Sequence, residues 1–302
     1  MTSARLSHRG GSHYREHMRV HGPVREVPPP RARDHVCWVF RGEEELDAAV
    51  LAFARGGLDR GERLLGVGDR VVAAVRRGGA SLGDVAALAA AGTLQLLSLE
   101  EAYAATGAFS AERQRAFYAR ATRDARAEGY RGLRVLADVS GLAEDPGARA
   151  ELARWEHVAD EYIARGPGMS AMCLYDGDLT AAALDAVTAV HPQVHAPGAP
   201  PAFQVFFDRH RVALVGDVDL VGAERLARVL ATSPVEGGNC TLALSGLGFA
   251  DVAGCRAIAR WVRTLAGTGV RVELRDAPPL VRRAWPLLGF DRWAPVTFTT
   301  AV

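Results

Sequence analysis

Four side chains in this sequence, His35, Cys37, Cys173 and His191, are of the types that bind a soft metal or meet an electrophile. Their surroundings argue for a plainer role. Cys37 and Cys173 fall inside apolar runs, where cysteine serves as a small buried hydrophobe. His35 and His191 stand at the ends of core segments, where they would cap them. Core packing is therefore the expected role, with no metal and no cofactor, and a metal or electrophile site is the alternative. Asp138, Ser140, Tyr175 and Asp176 fall at the carboxyl ends of two apolar runs. In an open α/β sheet that edge is the usual crevice for a ligand. These eight residues are the candidate set for a small molecule.

Phosphate chemistry would need another pattern. A loop of the form GxxxxGK[ST] cradles phosphates on backbone N–H groups while its lysine neutralises charge. After the first apolar run stands Arg41-Gly-Glu-Glu-Glu45, which repels phosphate; Gly66-Val-Gly-Asp69 is a lone glycine pair, and the chain contains no lysine. ATP hydrolysis is not expected. Asp138, placed where a magnesium-binding acid would sit, reads as a relic of topology or a contact for an uncharged ligand.

The elements that would position these groups alternate in type. Strands are expected at His35–Phe40, Arg63–Val67, Thr93–Ser98, Leu133–Asp138 and Met169–Tyr175. Between them, helices are expected at Leu46–Phe53, stopped by Gly56-Gly57, at Val71–Val75, and from Ser110 as cap to about Glu128. Leu152, Trp155, Ala159, Tyr162 and Ile163 share one face of the next helix, and Thr180–Val190 forms another. This order predicts a parallel sheet covered on both faces. His195-Ala-Pro-Gly-Ala-Pro-Pro201 breaks both regular structures and reads as a linker. Beyond it come short strands at Phe203–Phe207 and Arg211–Val215, a helix near Val221–Ala231 and a strand at Thr241–Leu244. A loop, an amphipathic helix from Asp251, a strand at Val270–Leu274 and a helix at Pro279–Leu288 complete the pattern.

At 302 residues the chain has room for about two domains. Residues 1–34 carry seven arginines against three acids, without hydrophobic periodicity, and end in Val27-Pro-Pro-Pro30. They read as a disordered basic leader. His8, His13, His17 and His21 lie there without a cysteine among them, which argues against a zinc finger. Residues 35–202 have 17 arginines against 23 acids, so no broad nucleic-acid surface is expected there. No apolar run approaches the roughly 18 residues of a membrane span. The N-terminus has no signal-peptide core, and the four cysteines show no CxxC spacing, so a cytoplasmic protein is expected.

Two resemblances follow from these motifs. His35-Val-Cys37, Phe53 with Gly57-Leu58, Ala137-Asp138-Val-Ser140, Trp155-Glu156, Cys173-Leu-Tyr175-Asp176 and His191-Pro192 resemble, in order, the MEDS sensory domain. That resemblance implies a RecA- or KaiC-related α/β module over 35–195 that senses a small organic molecule. Ser245-Gly-Leu-Gly-Phe-Ala-Asp251-Val-Ala-Gly254 and Gly216-Asp-Val-Asp219 resemble the loops of a STAS domain of the anti-sigma-factor-antagonist type, covering 203–302 after a linker at 196–202. There the family usually reads Asp-Ser-Ser-Gly, with a phosphorylatable serine; Val252 and Ala253 remove the hydroxyl. The resemblance implies a partner surface at Asp217, Asp219, Asp251, Val252, Ala253 and Gly254 for an anti-sigma factor or related regulator. The expectation is a non-enzymatic regulator. A RecA-like nucleotide-binding or ATP-hydrolysing protein, or a STAS-like scaffold or oligomerisation module, is the alternative.

Overall fold

Runs buried almost from end to end build the centre of the first sheet. The computed structural model describes residues 19–104, 109–198, 200–235 and 237–300. Among them the first sheet comprises β1 (Gly22–Pro23), β2 (His35–Phe40), β3 (Arg63–Val67), β4 (Leu94–Leu97), β5 (Leu133–Asp138), β6 (Met169–Asp176) and β7 (Gln193–His195). The order is β1-β7-β2-β6-β5-β3-β4, and every pairing is parallel.

The alternation along each strand assigns the faces. Val36, Trp38, Phe40, Met172 and Leu174 pack with helices α1 (Gly42–Asp59) and α2 (Asp69–Gly78). Cys37, Val39, Ala171, Cys173 and Tyr175 pack on the other side, with α3 (Ala111–Ala127), α4 (Pro146–Ala164) and α5 (Ala181–Thr188). Ser110 caps α3 by accepting from the Arg113 N–H, as its position in the sequence predicts. Helix α1 runs past the expected stop at Gly56-Gly57. Those glycines serve close approach instead: a Cβ on Gly57 would lie 2.6 Å from Arg134 Cδ and 2.7 Å from Leu64 Cδ2. The chain leaves the helix only at Arg60 and Gly61, whose φ is 68°.

The second sheet is mixed and smaller. Its strands are β8 (Phe203–Asp208), β9 (Arg211–Val218), β10 (Asn239–Ala243), β11 (Leu247–Ala250), β12 (Arg271–Arg275) and β13 (Val296–Thr299). The order is β11-β9-β10-β12-β13, with β8 antiparallel on β9. Helices α6 (Leu220–Ala231), α7 (Val252–Gly267) and α8 (Pro279–Leu287) cover it. Residues 247–250, read from the sequence as loop, form β11, because Phe249 and Ala250 pair with Asp217 and Val218.

The leader differs from expectation where it is described. Residues 19–34 form a strap rather than a disordered arm. Gly22 and Pro23 pair with Gln193 and Val194, and Arg19 reaches the interior. His21 rests against Phe206, with ring centroids 5.2 Å apart. The other leader histidines, His8, His13 and His17, lie outside the described residues.

Candidate functional site

Helix α4 builds the site. Asp145 caps it by accepting from the Gly147 N–H, with Pro146 in the first turn. The helix lies between the first sheet and β8, so its polar residues Glu156, His157 and Asp160 are all buried. Glu156 and Asp160, one turn apart, share His35 as a neighbour. His35 Nδ1 lies 3.0 Å from Asp160 Oδ1, and His35 Nε2 lies 3.3 Å from Glu156 Oε2. Glu156 Oε2 is also 3.2 Å from Cys173 Sγ and 3.3 Å from His191 Nε2, and its Oε1 accepts from the Tyr175 hydroxyl at 2.6 Å.

Asp160 ties this cluster to the second sheet. Its Oδ2 accepts from the Phe207 N–H on β8 at 2.6 Å, and its Oδ1 pairs with Arg19 Nη1 at 2.5 Å. The same Arg19 nitrogen donates to the Phe207 carbonyl at 3.0 Å.

Burial opposes charge throughout. It would push the His35 imidazole down, but hydrogen bonds to Asp160 and Glu156 hold it above its ordinary value. It would push Glu156 up, but His191 and His35 keep that carboxyl below the usual range. His191 itself is pushed down, by burial and then by the charge on His35. Burial pushes the Cys173 thiol well up, and Glu156 adds to this. It also drives the neighbouring His157 down to about 4.

The eight ligand candidates therefore separate. His35, Cys173, Tyr175 and His191 meet inside the protein; His191 also caps the end of α5 as expected, its Nδ1 lying 2.8 Å from the Val187 carbonyl, whereas His35 meets Asp160 and Glu156 instead. Cys37 faces the same side of the sheet, opposite Cys173 in register, without an atom in the cluster. Asp138, Ser140 and Asp176 meet at the strand ends. Asp138 Oδ1 accepts from the Ser140 N–H and hydroxyl, and the Asp176 N–H donates to Ser140 Oγ. Arg70 spans both acids, 3.1 Å from Asp138 and 2.5 Å from Asp176, so this edge is closed by its own ion pairs.

Beside the inner cluster lies a cavity of about 10 Å³. Its walls are Tyr118, Val135, Ala137, Val139, Trp155 and Ala159, with His35, Glu156 and Cys173 as the polar side. Room for about one water molecule is what that volume provides. An open groove along Asp69, Val72, Arg76, Leu96 and Ser98 contains none of the candidate residues.

At the far end of the second sheet, Asp219 and Asp251 each cap a helix. Asp219 accepts from Gly222 N–H at 2.7 Å and Asp251 from Gly254 N–H at 2.8 Å. The two helix starts come close because Gly254 has no Cβ: one placed there would lie 2.9 Å from Val218 Cγ1. Asp217 is exposed on the adjoining strand. Around these acids, Leu220 (72%), Val221 (80%), Phe249 (45%) and Val252 (48%) stand exposed, which makes the end apolar as well as acidic.

Residues 34–192 match the family model described as MEDS, the methanogen/methylotroph, DcmR sensory domain, over more than half of the chain. The chain belongs to the MEDS family. Residues 203–298 match the Mlab, STAS domain model. Two solved structures with similarity are the anti-sigma factor antagonist SpoIIAA in its unphosphorylated form and the Bacillus cell fate determinant SpoIIAA in its phosphorylated form. The first is 17% identical with a TM-score of 0.26, covering 33% of this chain and 90% of that one. The second is 20% identical with a TM-score of 0.26, covering 33% and 92%. Comparison with curated proteins finds no match.

In this MEDS protein the inner cluster lies within the matched span, while Arg19, which holds Asp160, comes from before it. Sequence reasoning singled out neither Glu156 nor Asp160 nor Arg19 as site residues. Glu156, His157, Asp160 and Glu161 fall at i, i+1, i+4 and i+5 and make one polar face opposite the apolar one, so the sequence carries the pattern of a surface helix. The burial of that face comes from β8 and the strap, which local spacing does not report.

Proposed function

We propose that this chain is a non-enzymatic cytoplasmic regulator in which a small-molecule sensor controls a STAS-type protein-binding surface. The joining of a sensory family domain to a STAS domain is a signalling architecture. The exposed apolar rim around Asp217, Asp219 and Asp251 is the observation that carries the partner reading: apolar side chains clustered at one end of a sheet mark an interaction surface. The partner is an anti-sigma factor or a related regulator, held at Val252, Ala253 and Gly254 and at the neighbouring acids. The hydroxyl that would switch such a contact by phosphorylation is absent here. The ligand, a small and largely apolar organic molecule, enters between Trp155, Tyr118 and the cluster, where the walls must move to admit it because the cavity has room for about one water molecule. Its signal passes by shifting which arrangement of α4 is favoured, since a ligand moves an equilibrium only by its differential affinity for the two states.

Co-purification from the native cell, comparing wild type with Val252→Arg, tests the partner surface. Val252 is exposed and makes no cap, so the variant should keep its fold and its circular dichroism. It should bind the recovered partner at least tenfold more weakly, which requires only about 1.4 kcal/mol. Equal binding by a folded Val252→Arg protein would place the partner elsewhere.

A further inference from the structure

We propose that His35 Nε2, Glu156 Oε2, Cys173 Sγ and His191 Nε2 form a binding site for a divalent, borderline-soft cation of the zinc type. All four donor atoms lie within 4.8 Å of one another, and all four residues are buried. The recorded separations are 3.3 Å from Glu156 to each imidazole, 3.2 Å from Glu156 to Cys173, and 3.6 Å from Cys173 to His35. Zinc bonds of about 2.0–2.3 Å in a tetrahedron give ligand–ligand edges of about 3.3–3.7 Å, so four of the six donor pairs already stand near those edges and the other two lie within 4.8 Å.

The protons point the same way. His191 Nδ1 is 2.8 Å from the Val187 carbonyl, and its Nε2 has no hydrogen-bond partner although it is buried and faces Glu156. A neutral imidazole has one N–H and cannot donate to both oxygens. With the proton on Nδ1, the Nε2 lone pair faces a carboxylate, which is unfavourable unless a cation, either a second proton or a metal ion, lies between them. His35 repeats the arrangement: its Nδ1 meets Asp160, leaving Nε2 for the cluster. Glu156 is oriented in turn by the Tyr175 hydroxyl. Ring nitrogens fixed from behind by a carboxylate or a carbonyl are the usual support of histidine ligands.

Charge balances as well. When the cation displaces the protons held by the cluster, two neutral imidazoles, a carboxylate and a thiolate offset its charge, and Asp160 is offset by Arg19. One nitrogen pair, one sulfur and one oxygen suit zinc or ferrous iron better than magnesium or calcium, which prefer oxygen throughout. The inference is independent of the signalling reading, because metal content is measured without ligand or partner.

The full chain, purified from zinc-sufficient medium, should contain stoichiometric zinc or iron by elemental analysis. After chelation and refolding with Co²⁺, it should show ligand-field bands of a tetrahedral site and a thiolate-to-cobalt charge-transfer band. Cys173→Ser should lose that charge-transfer band and His191→Ala the stoichiometric metal, while Asp138→Asn, at the strand edge, should retain both. Asp160→Asn, acting through His35, should weaken affinity in chelator competition by about 10–100-fold. If the cluster variants fail to fold, the wild-type Co²⁺ spectrum still decides. Substoichiometric metal in the purified chain together with no thiolate–cobalt band after reconstitution would overturn the site.

Discussion

Val252 and Ala253 occupy the first turn of α7, where backbone N–H groups point outward and the helix dipole favours negative charge. Neither residue offers a hydroxyl to carry a phosphate. Wild-type protein incubated with an anti-sigma kinase and ATP should therefore gain no phosphate at 251–254. Ala253→Ser should gain one, detected by mass spectrometry. Phosphate on Ser245 in the wild type would show that the modified position has moved.

Arg134 poses a different residue-scale question. It is fully buried on β5, pairs with Glu62 at 2.6 Å, and lies over the Phe53 ring at 4.3 Å. Arg134→Met would fill part of the space but strand Glu62, which retains only the partly exposed Arg60 at 2.9 Å. Breaking a buried pair from one side costs about 3–5 kcal/mol, and the remaining Arg60 puts this case near 3 kcal/mol. Urea unfolding should show a lower midpoint at an unchanged slope.

At the scale of elements, the connection from β2 to α1 is a single residue, Arg41. It is too short to wrap a phosphate chain, and Glu43, Glu44 and Glu45 fill the first helical turn. No magnesium-dependent ATP turnover above a protein blank is expected, and Asp138→Ala should change nothing in that assay. Turnover abolished by Asp138→Ala would revive the nucleotide reading.

Strands β2, β3, β5 and β6 were legible because burial on both faces makes them continuous apolar runs, and Ser110 was legible because a cap is a local hydrogen bond. Three features were not. Gly56-Gly57 carries the same letters as a helix stop, but its role is set by Arg134, distant in sequence. Strand β7 begins the segment read as linker; its His195 stacks on Trp38 at 3.8 Å and meets Glu45 at 2.8 Å. The inner cluster joins residues from β2, α4, β6 and the connection after α5, and no spacing along one element reports such a meeting. Its histidines and Cys173 were visible by type; Glu156 and Asp160 acquire meaning only from what the fold places against α4.

For the whole molecule, helix α4 makes the two sheets mutually dependent. Phe207 and Arg19 meet at Asp160; Val205 donates to the Ala189 carbonyl at 2.7 Å; Gln204 donates to the carbonyls of His191 and Pro192; and Arg225 pairs with Asp185. Separating the halves would leave Asp160 buried without its Phe207 partner and Gln204 without its acceptors. The full chain should unfold in one cooperative transition, with calorimetric and van't Hoff enthalpies in agreement. Two resolved transitions would show the halves to be energetically independent.

The strap at Gly22–Pro23 has a consequence for solubility. It forms the last rung of the first sheet, two residues long and containing a proline, so it offers almost nothing for another strand to pair with. A chain trimmed to start at residue 34 would instead end on β7, with its outward N–H and C=O groups bare. The trimmed protein would carry an adhesive margin that the complete one covers, and light scattering should find it self-associating at concentrations where the full chain stays dispersed.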